Sequence, residues 1–364
     1  MARGLKVLLV AVVVIGLGVT LVTAFQGQIA LRLMAGVVER NMAADPLAAL
    51  SDGLHVGLCG AGAPLPDPSR GGPCAIIVAK QGSDVQTYVV DAGTGGVRTL
   101  AQMGLPVGEI DGVFLTHFHS DHIDGLGELA MQRWVNRMAT SPLPLIGPAG
   151  VERVAEGFNQ AYAQDFVYRT AHHGADIVPP SGAGLEAVPF AEPQDGVDAV
   201  VLEQYGLRVT AILVDHTPVA PAVGYRFDFL GRSIVISGDT VKSGNLQRAA
   251  EGADLMLHEA LAPQLVDVIT QAAAKAGRAN IEKITLDILD YHTTPVEAAE
   301  LAQGAGVKML VFHHIVPALP LAALESVFVE GVSDAYDGPV HVAVDGDFWS
   351  LPAGSDAIHH EERL

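Results

Sequence analysis

The feature that most constrains this chain is Thr116–His122 (THFHSDH), which directly follows the apolar run 110–115. The apolar run predicts a buried strand. Three histidines and an aspartate this close together at a strand end can converge on one small volume, and imidazole and carboxylate are ligands that suit zinc. Four donors are too many for one catalytic ion that keeps an open position, so the spacing predicts two metal ions sharing the loop.

Composition limits the class of protein. With 364 residues, the chain can form one large domain or two ordinary ones. Hydrophobic residues make up 49% and charged residues 17%, which provides for a sizeable core and excludes wholesale disorder. The net charge of -20 repels polyphosphate, so we do not expect nucleic acid as a partner.

The N-terminal region predicts a membrane anchor. Val7–Phe25 carries no charge and is long enough to cross a bilayer, and Arg3 and Lys6 precede it. The positive-inside rule then places the remainder of the chain on the periplasmic, extracytoplasmic face of the cytoplasmic membrane. A cleaved signal peptide is the alternative, because residues 22–24 fit a small-residue cleavage site, and the chain would then be secreted. Residues 1–31 are predicted to form this anchor or signal peptide, and residues 32–52 a juxtamembrane connector.

Two cysteines, Cys59 and Cys74, flank a loop rich in glycine and proline. On the predicted extracytoplasmic side this spacing favours a disulfide between neighbouring strands. Two separate buried thiols are the alternative. No histidine or further cysteine lies between them, so a zinc site is not expected there.

From Gly53 onward, strand and helix signals alternate, and residues 53–352 are interpreted as the catalytic domain. Helices are predicted over 124–138, over 149–164 and after Pro295, whereas 171–200 is interpreted as a surface insertion near the site. Residues 340–344 and 348–351 predict a closing hairpin, and the polar tail 353–364 is expected to fray. The remaining strands are predicted at 75–79, 88–91, 110–115, 206–215, 223–229, 233–237, 254–257 and 308–312.

Further histidines and acidic residues recur where predicted strands end. They are Asp215-His216, Asp239, His258-Glu259 and His313-His314. Ligand sites in layered α/β folds gather at one edge of the sheets, where loops leave the strands. We therefore expect these side chains to join the first cluster.

The H-x-H-x-D-H run, the S-G-D-T segment at Asp239 and the V-F-H-H-I-V-P segment resemble the metallo-β-lactamase superfamily. The similarity is greatest to ribonuclease Z and the related arylsulfatase-type and phosphodiesterase-type enzymes, over roughly residues 53–351. The resemblance implies an α/β fold, a four-layer αββα sandwich, here preceded by the N-terminal transmembrane helix. It is also consistent with a homodimer.

The resemblance also implies a ligand set for two Zn²⁺ ions, with Mn²⁺ or Fe²⁺ as alternatives. Asp239 would bridge the two ions, and His313 competes with His314 for one position. One ion would be held by His117, His119 and His216, and the other by Asp121, His122 and His314.

Catalytic roles follow from the same resemblance. Asp121 would orient a metal-activated hydroxide, His292 in the H-T-T-P segment would donate a proton, and Glu259 would support the metal shell. A helix-entry histidine with a structural role is the alternative for His292. Arg226 and His172 are candidate substrate contacts.

The function expected from these residues is hydrolysis of sulfate or phosphate esters, with a small-molecule ester as substrate. A lactonase or β-lactamase-like acyl hydrolase is the nearest alternative, because the metal site alone does not separate them. A ribonuclease Z-type endonuclease is less expected, since no Lys/Arg-rich arm is present. A non-catalytic metal-binding scaffold is disfavoured because every expected ligand is there.

Overall fold

A computed structural model describes the backbone of residues 2–364 and, in the N-terminal helix, the side chains at 4, 6–10, 12, 15, 20 and from 22 onward. The chain divides into two compact units, Met1–Ala49 and Leu50–Leu364. The first unit contains one long helix, α1 (Ala2–Ala43).

The predicted transmembrane anchor is not supported. Within the described residues, no helix combines the length and the apolar character that a bilayer crossing requires. The expectation at Val7–Phe25 is therefore wrong as far as the described residues extend, and several side chains of that segment lie outside them. The expected location at the cytoplasmic membrane depended on this helix and is wrong with it.

The strands of the second unit, numbered in chain order, form two sheets. The eight-stranded sheet has the order β15-β14-β1-β2-β3-β4-β5-β6, and the seven-stranded sheet has the order β13-β12-β11-β10-β9-β8-β7. The first sheet consists of β1 (Gly53–Gly60), β2 (Cys74–Gln81), β3 (Asp84–Val90), β4 (Gly112–Phe114), β5 (Leu143–Pro148), β6 (Leu185–Phe190), β14 (Asp347–Pro352) and β15 (His359–Glu362). The second consists of β7 (Ala199–Gln204), β8 (Leu207–Leu213), β9 (Val223–Phe229), β10 (Arg232–Ile236), β11 (Leu255–Leu261), β12 (Met309–Val316) and β13 (Val340–Val342).

Helices of the second unit cover the outer faces of the sheets. They are α2 (Gly96–Gln102), α3 (Ser120–Ile123), α4 (Leu126–Arg137), α5 (Val151–His173), α6 (Gly244–Ala249), α7 (Pro263–Lys275), α8 (Ala279–Asp287), α9 (Pro295–Ala305), α10 (Ala323–Phe328) and α11 (Val332–Ala335). The main core lies between the sheets, where Phe114 of the first packs against Tyr225 and Phe227 of the second. Two packed sheets with helices on their outer faces make the expected four-layer αββα arrangement. Alternate side chains of each strand face the core between the sheets or the helices outside them.

Three local expectations are wrong. Residues 340–352 are not a hairpin, because β13 pairs parallel with β12 while β14 pairs antiparallel with β1 in the other sheet. Residues 171–200 are not one insertion, since α5 continues to His173 and β6 then joins the first sheet. The C-terminal tail does not fray but forms β15, whose backbone pairs with β14.

Helix α9 starts at the position its sequence predicts. Thr294 caps it: its side chain accepts from the Glu297 amide, and the Glu297 carboxylate accepts from the Thr294 amide. Pro295 occupies the first turn, where its missing N–H costs nothing. His292 lies two residues before this capped start of the helix.

Parallel pairing aligns the strand ends that carry polar residues. Strands β3 to β6 run parallel in the first sheet, and β10 to β13 run parallel in the second. Their carboxyl ends therefore lie at a common edge of each sheet, which is where loops build sites in such folds.

Candidate metal centre

Asp91, just after β3, holds the two ends of the histidine-rich loop. Its Oδ1 accepts from the Thr116 amide at 2.9 Å and its Oδ2 from the Thr116 hydroxyl at 2.7 Å. The same Oδ2 lies 2.8 Å from His122 Nδ1. This contact orients the His122 ring so that Nε2 faces the cluster. The sequence assigned no role to Asp91, although its position after a strand adjacent to β4 is a usable signal.

The structure brings all seven predicted ligand side chains together in two adjoining groups. Within each group, one donor atom per residue lies within 4.8 Å of the others. The first group is His117, His119, His216 and Asp239, and the second is Asp121, His122 and His314.

Asp239 lies between the two groups. Its Oδ2 is 3.9 Å from the Nε2 atoms of both His117 and His216, in the first group. The same oxygen is 3.4 Å from His122 Nε2 and 3.2 Å from His314 Nε2, in the second group. One carboxylate therefore faces donors of both groups.

Several of these polar atoms are buried and have no hydrogen-bond partner among the described residues. They include Asp121 Oδ2, His122 Nε2, His216 Nε2 and His314 Nε2. An unpaired buried polar atom costs free energy, so it calls for a specific explanation. Cations between the groups would satisfy these atoms, and the donor set of imidazoles and carboxylates fits zinc.

The electrostatics of the cluster favour the metal-binding protonation states of Asp239 and His117. Burial works to raise the pKa of Asp239, but His314 and His122 outweigh it and hold that pKa well below its usual range. Burial lowers the pKa of His117 well below its ordinary value, and neighbouring His122 adds to the effect. A charged carboxylate and a neutral imidazole are the protonation states that bind metal. At His122, burial works to lower the pKa, but Asp239 and Asp91 outweigh it and raise that pKa well above its ordinary value, so this ring would have to release a proton when it binds metal.

A bulge in β12 brings His314, rather than His313, to the ligand cluster. Glu259 pairs with His313 and Ala260 with Ile315, so His314 is the extra residue. Its φ of 47° is left-handed, which an ordinary strand residue does not adopt. His314 thus joins the cluster, whereas burial lowers the pKa of His313 to about 3 and keeps that ring neutral.

His292 and Glu259 form a pair at the border of the cluster. His292 Nδ1 lies 3.2 Å from Glu259 Oε2. The other oxygen, Oε1, accepts from the amides of Thr293 at 2.9 Å and Thr240 at 3.3 Å. Burial opposes protonation of His292, but the Glu259 carboxylate raises its pKa to about 9. Glu259 therefore contacts His292 and the surrounding backbone and lies outside the two ligand groups.

Tyr291 is a site residue that the sequence did not indicate. His216 Nδ1 donates to the Tyr291 carbonyl at 2.9 Å, and the two rings pack with centroids 4.6 Å apart. This bond leaves His216 Nε2 free to face the cluster. In the sequence, the position of Tyr291 directly before His292 is the signal that could have indicated it as a site residue.

Arg226 and His172 are not among the side chains brought to the cluster. Arg226 Nε donates to Asp228 at 3.0 Å, and its Nη1 donates to the carbonyls of Ala249 and Glu251. His172 is exposed near the C-terminal end of α5.

The expected disulfide between Cys59 and Cys74 is present. It closes a loop whose Gly72 packs against the histidine-rich segment. A side chain at Gly72 would come within 3.0 Å of the Asp121 carbonyl and 2.9 Å of the Thr94 amide. The disulfide therefore holds a backbone that supports one of the predicted ligands.

Comparison with known proteins agrees with this geometry. Residues 70–289 match the family model described as the Metallo-beta-lactamase superfamily. The chain is 36% identical over 268 residues to Ribonuclease Z of Mycobacterium bovis (strain BCG / Pasteur 1173P2), covering 73% of this chain and 87% of that protein. It is 35% identical over 268 residues to Ribonuclease Z of Mycobacterium marinum (strain ATCC BAA-535 / M), covering 73% and 88%.

Solved structures show the same fold. The YhfI protein of Bacillus subtilis, a metallo-beta-lactamase fold protein, superposes with a TM-score of 0.57 at 19% identity, covering 82% of this chain and 99% of that one. The short form of human tRNase Z superposes with a TM-score of 0.52 at 22% identity, covering 82% and 99%.

Proposed function

Because the chain belongs to the metallo-beta-lactamase superfamily and is a metal-dependent hydrolase, we propose that it cleaves phosphodiester bonds with two metal ions and that RNA is its substrate class. The observation that carries the two-ion proposal is Asp239, whose Oδ2 faces donors of both groups. The similarity to ribonucleases Z supports RNA over sulfate or acyl esters.

The expectation that nucleic acid is not a partner is overturned by these relatives, which are named for ribonuclease activity. A net charge of -20 describes the whole chain and does not determine the potential at one cleft. Two divalent cations would be the largest local charges in the site and would invert its sign.

The proposed ligand roles correspond to the two groups. His117, His119 and His216 would hold one ion, Asp121, His122 and His314 would hold the other, and Asp239, which faces donors of both groups, would be shared. Zinc is the metal that the superfamily typically binds, and Mn²⁺ or Fe²⁺ are alternatives for the same donors. When bound, the ions would supply an activated water and stabilise charge on the phosphoryl oxygens.

The chain's own residues supply orientation and a proton. We assign to Asp121, whose Oδ2 lies 3.4 Å from His314 Nε2, the role of orienting the attacking water while it serves as a ligand. His292 donates a proton to the departing oxygen, because the adjacent Glu259 keeps it protonated. Glu259 contacts no substrate in this proposal and acts through His292.

The test is a substrate panel measured by kcat/KM: an RNA hairpin with a single-stranded 3′ extension, bis(p-nitrophenyl) phosphate, p-nitrophenyl sulfate and a lactone. We expect RNA and phosphodiester hydrolysis that a chelator abolishes and added Zn²⁺ restores. His119→Ala should lose this activity, whereas His359→Ala, an exposed histidine remote in sequence, should retain it. Faster cleavage of the sulfate or the lactone, with intact RNA, would contradict the proposal.

A further inference from the structure

A second cluster of metal-binding side chains lies outside the two ligand groups described above. It consists of His341 on β13, Asp347 on β14 and His360 on β15. His341 Nε2 lies 2.8 Å from Asp347 Oδ2, and His360 Nε2 lies 2.7 Å from Asp347 Oδ1. One donor atom from each residue lies within 4.8 Å of the other two, so the three converge on one point.

The three residues come from both sheets. Strand β13 is the edge of the seven-stranded sheet, whereas β14 and β15 end the eight-stranded sheet. The Asp347 carboxylate is completely buried, and the rings of His341 and His360 remain 29% and 31% exposed. A fixed carboxylate between two partly exposed imidazoles leaves one side open to solvent, which gives an ion an entry path.

We propose that His341, Asp347 and His360 form an additional metal site, selective for Zn²⁺ and similar divalent ions such as Co²⁺, that fastens the C-terminal strand to both sheets. Two imidazoles and one carboxylate are a common ligand set for zinc, and the open side provides a fourth position for water. Ligands around a tetrahedral zinc lie about 3.3 Å apart, given bonds of about 2.0–2.2 Å. Each Nε2 atom would therefore lie about half an ångström farther from the Asp347 oxygen that it now contacts, and the partial exposure of both rings permits such a shift.

The fluorescence of Trp349, whose ring contacts both histidines of the cluster, can report metal binding. The Trp349 ring stacks on His360 with centroids 4.9 Å apart and meets His341 edge-on at 5.4 Å. The chain has one other tryptophan, Trp134, which is buried against Phe166 and Val178 in a separate cluster. Binding of paramagnetic Co²⁺ by His360 would quench Trp349 directly.

The chain also offers a matched control. His359 and His360 are neighbours on β15, so their side chains point to opposite faces of the strand. His359 is not part of the cluster. A His359→Ala change therefore removes an exposed histidine of the same strand without removing a ligand.

The experiment is a Co²⁺ titration of the full chain followed by tryptophan fluorescence, in the wild type, His360→Ala, His341→Gln and His359→Ala. Quenching contributed by the Asp239 cluster is common to all four proteins and cancels in the differences. We expect a saturable phase in the wild type and in His359→Ala, weakened by at least about tenfold in both ligand variants, the smallest effect that loss of a supporting contact usually has.

Identical titrations in the wild type and both ligand variants would overturn the proposal and leave the cluster as a hydrogen-bonded clamp. The ligand variants should keep phosphodiesterase activity, because their changes lie outside the Asp239 cluster. Failure of this proposal is thus distinguishable from failure of the proposed function, which would appear as an inactive wild type.

Discussion

The two sheets contribute to the same site in different ways. The first sheet delivers His117, His119, Asp121 and His122 from one short loop after β4. The second sheet delivers single residues from three separate places: His216 after β8, Asp239 after β10 and His314 within β12. The first contribution is local in sequence, whereas the second exists only once the strands have paired. One half of this site is therefore a sequence motif, and the other half is a product of sheet topology.

The largest combined effect on metal content and turnover should come from Asp239→Asn, because this carboxylate faces both halves of the site. We expect loss of both metal ions and a fall in turnover of roughly 10³-fold, the scale of removing one strong charge-stabilising contact. His119→Ala should remove mainly one ion, since His119 belongs to one group. The measurements are metal content by elemental analysis and steady-state turnover, in the wild type, Asp239→Asn and His119→Ala. Full metal content in Asp239→Asn would refute the proposal that Asp239 serves both ions.

His292→Ala should lower turnover by about 10²–10⁴-fold while metal content stays intact, because the residue supplies a proton rather than a ligand. The defect should shrink for aryl phosphodiesters with good leaving groups, which need little protonation. The measurement is kcat across esters of graded leaving-group pKa, with zinc quantified in each preparation. A uniform rate loss that follows zinc loss would place His292 with the ligands, since its ring also lies within reach of Asp239 and His314.

Removing the disulfide should affect stability more than chemistry. The Cys59→Ser/Cys74→Ser double variant opens a loop with a sequence separation of 15, which should cost about 3 kcal/mol of unfolding free energy by chain entropy. Urea unfolding of oxidised wild type and double variant measures this cost. Because the loop packs against the Asp121 backbone, we expect weaker binding of the second-group ion before that of the first. Equal stability of the two proteins would show that the bond does not constrain the unfolded chain.

The smallest effect should come from Glu259→Gln and should depend on pH. The Glu259 charge raises the pKa of His292 to about 9, against burial that lowers it. The wild type should therefore keep the proton donor until pH rises through that value, whereas the variant should lose it at lower pH. At pH 8 we expect roughly a 10–100-fold deficit, typical of a supporting contact, shrinking toward pH 6. If the alkaline limb of the pH–rate profile of Glu259→Gln lay at the same pH as that of the wild type, Glu259 would not be the residue that keeps His292 protonated.

Elements whose signals are local could be predicted from the sequence alone. Such local signals are the apolar run before His117, the spacing of the four donors after it and Pro295 at the start of α9. The structure has a strand, a group of converging side chains and a helix start at these places. Two broader interpretations of the sequence were wrong. Net charge did not exclude RNA-cleaving relatives, and an apolar N-terminal run did not yield a membrane-spanning helix among the described residues.

Features that depend on pairing between distant segments could not be predicted from the sequence alone. The bulge in the pairing of β11 with β12 directs His314, and not His313, toward the cluster, because one extra residue changes which side chain faces it. Residues 340–352 look like a hairpin, yet β13 and β14 separate into different sheets, and this separation brings His341 beside Asp347 and His360. Strand register and sheet membership arise from long-range backbone hydrogen bonds and core burial, which leave no short-range signature in a single sequence.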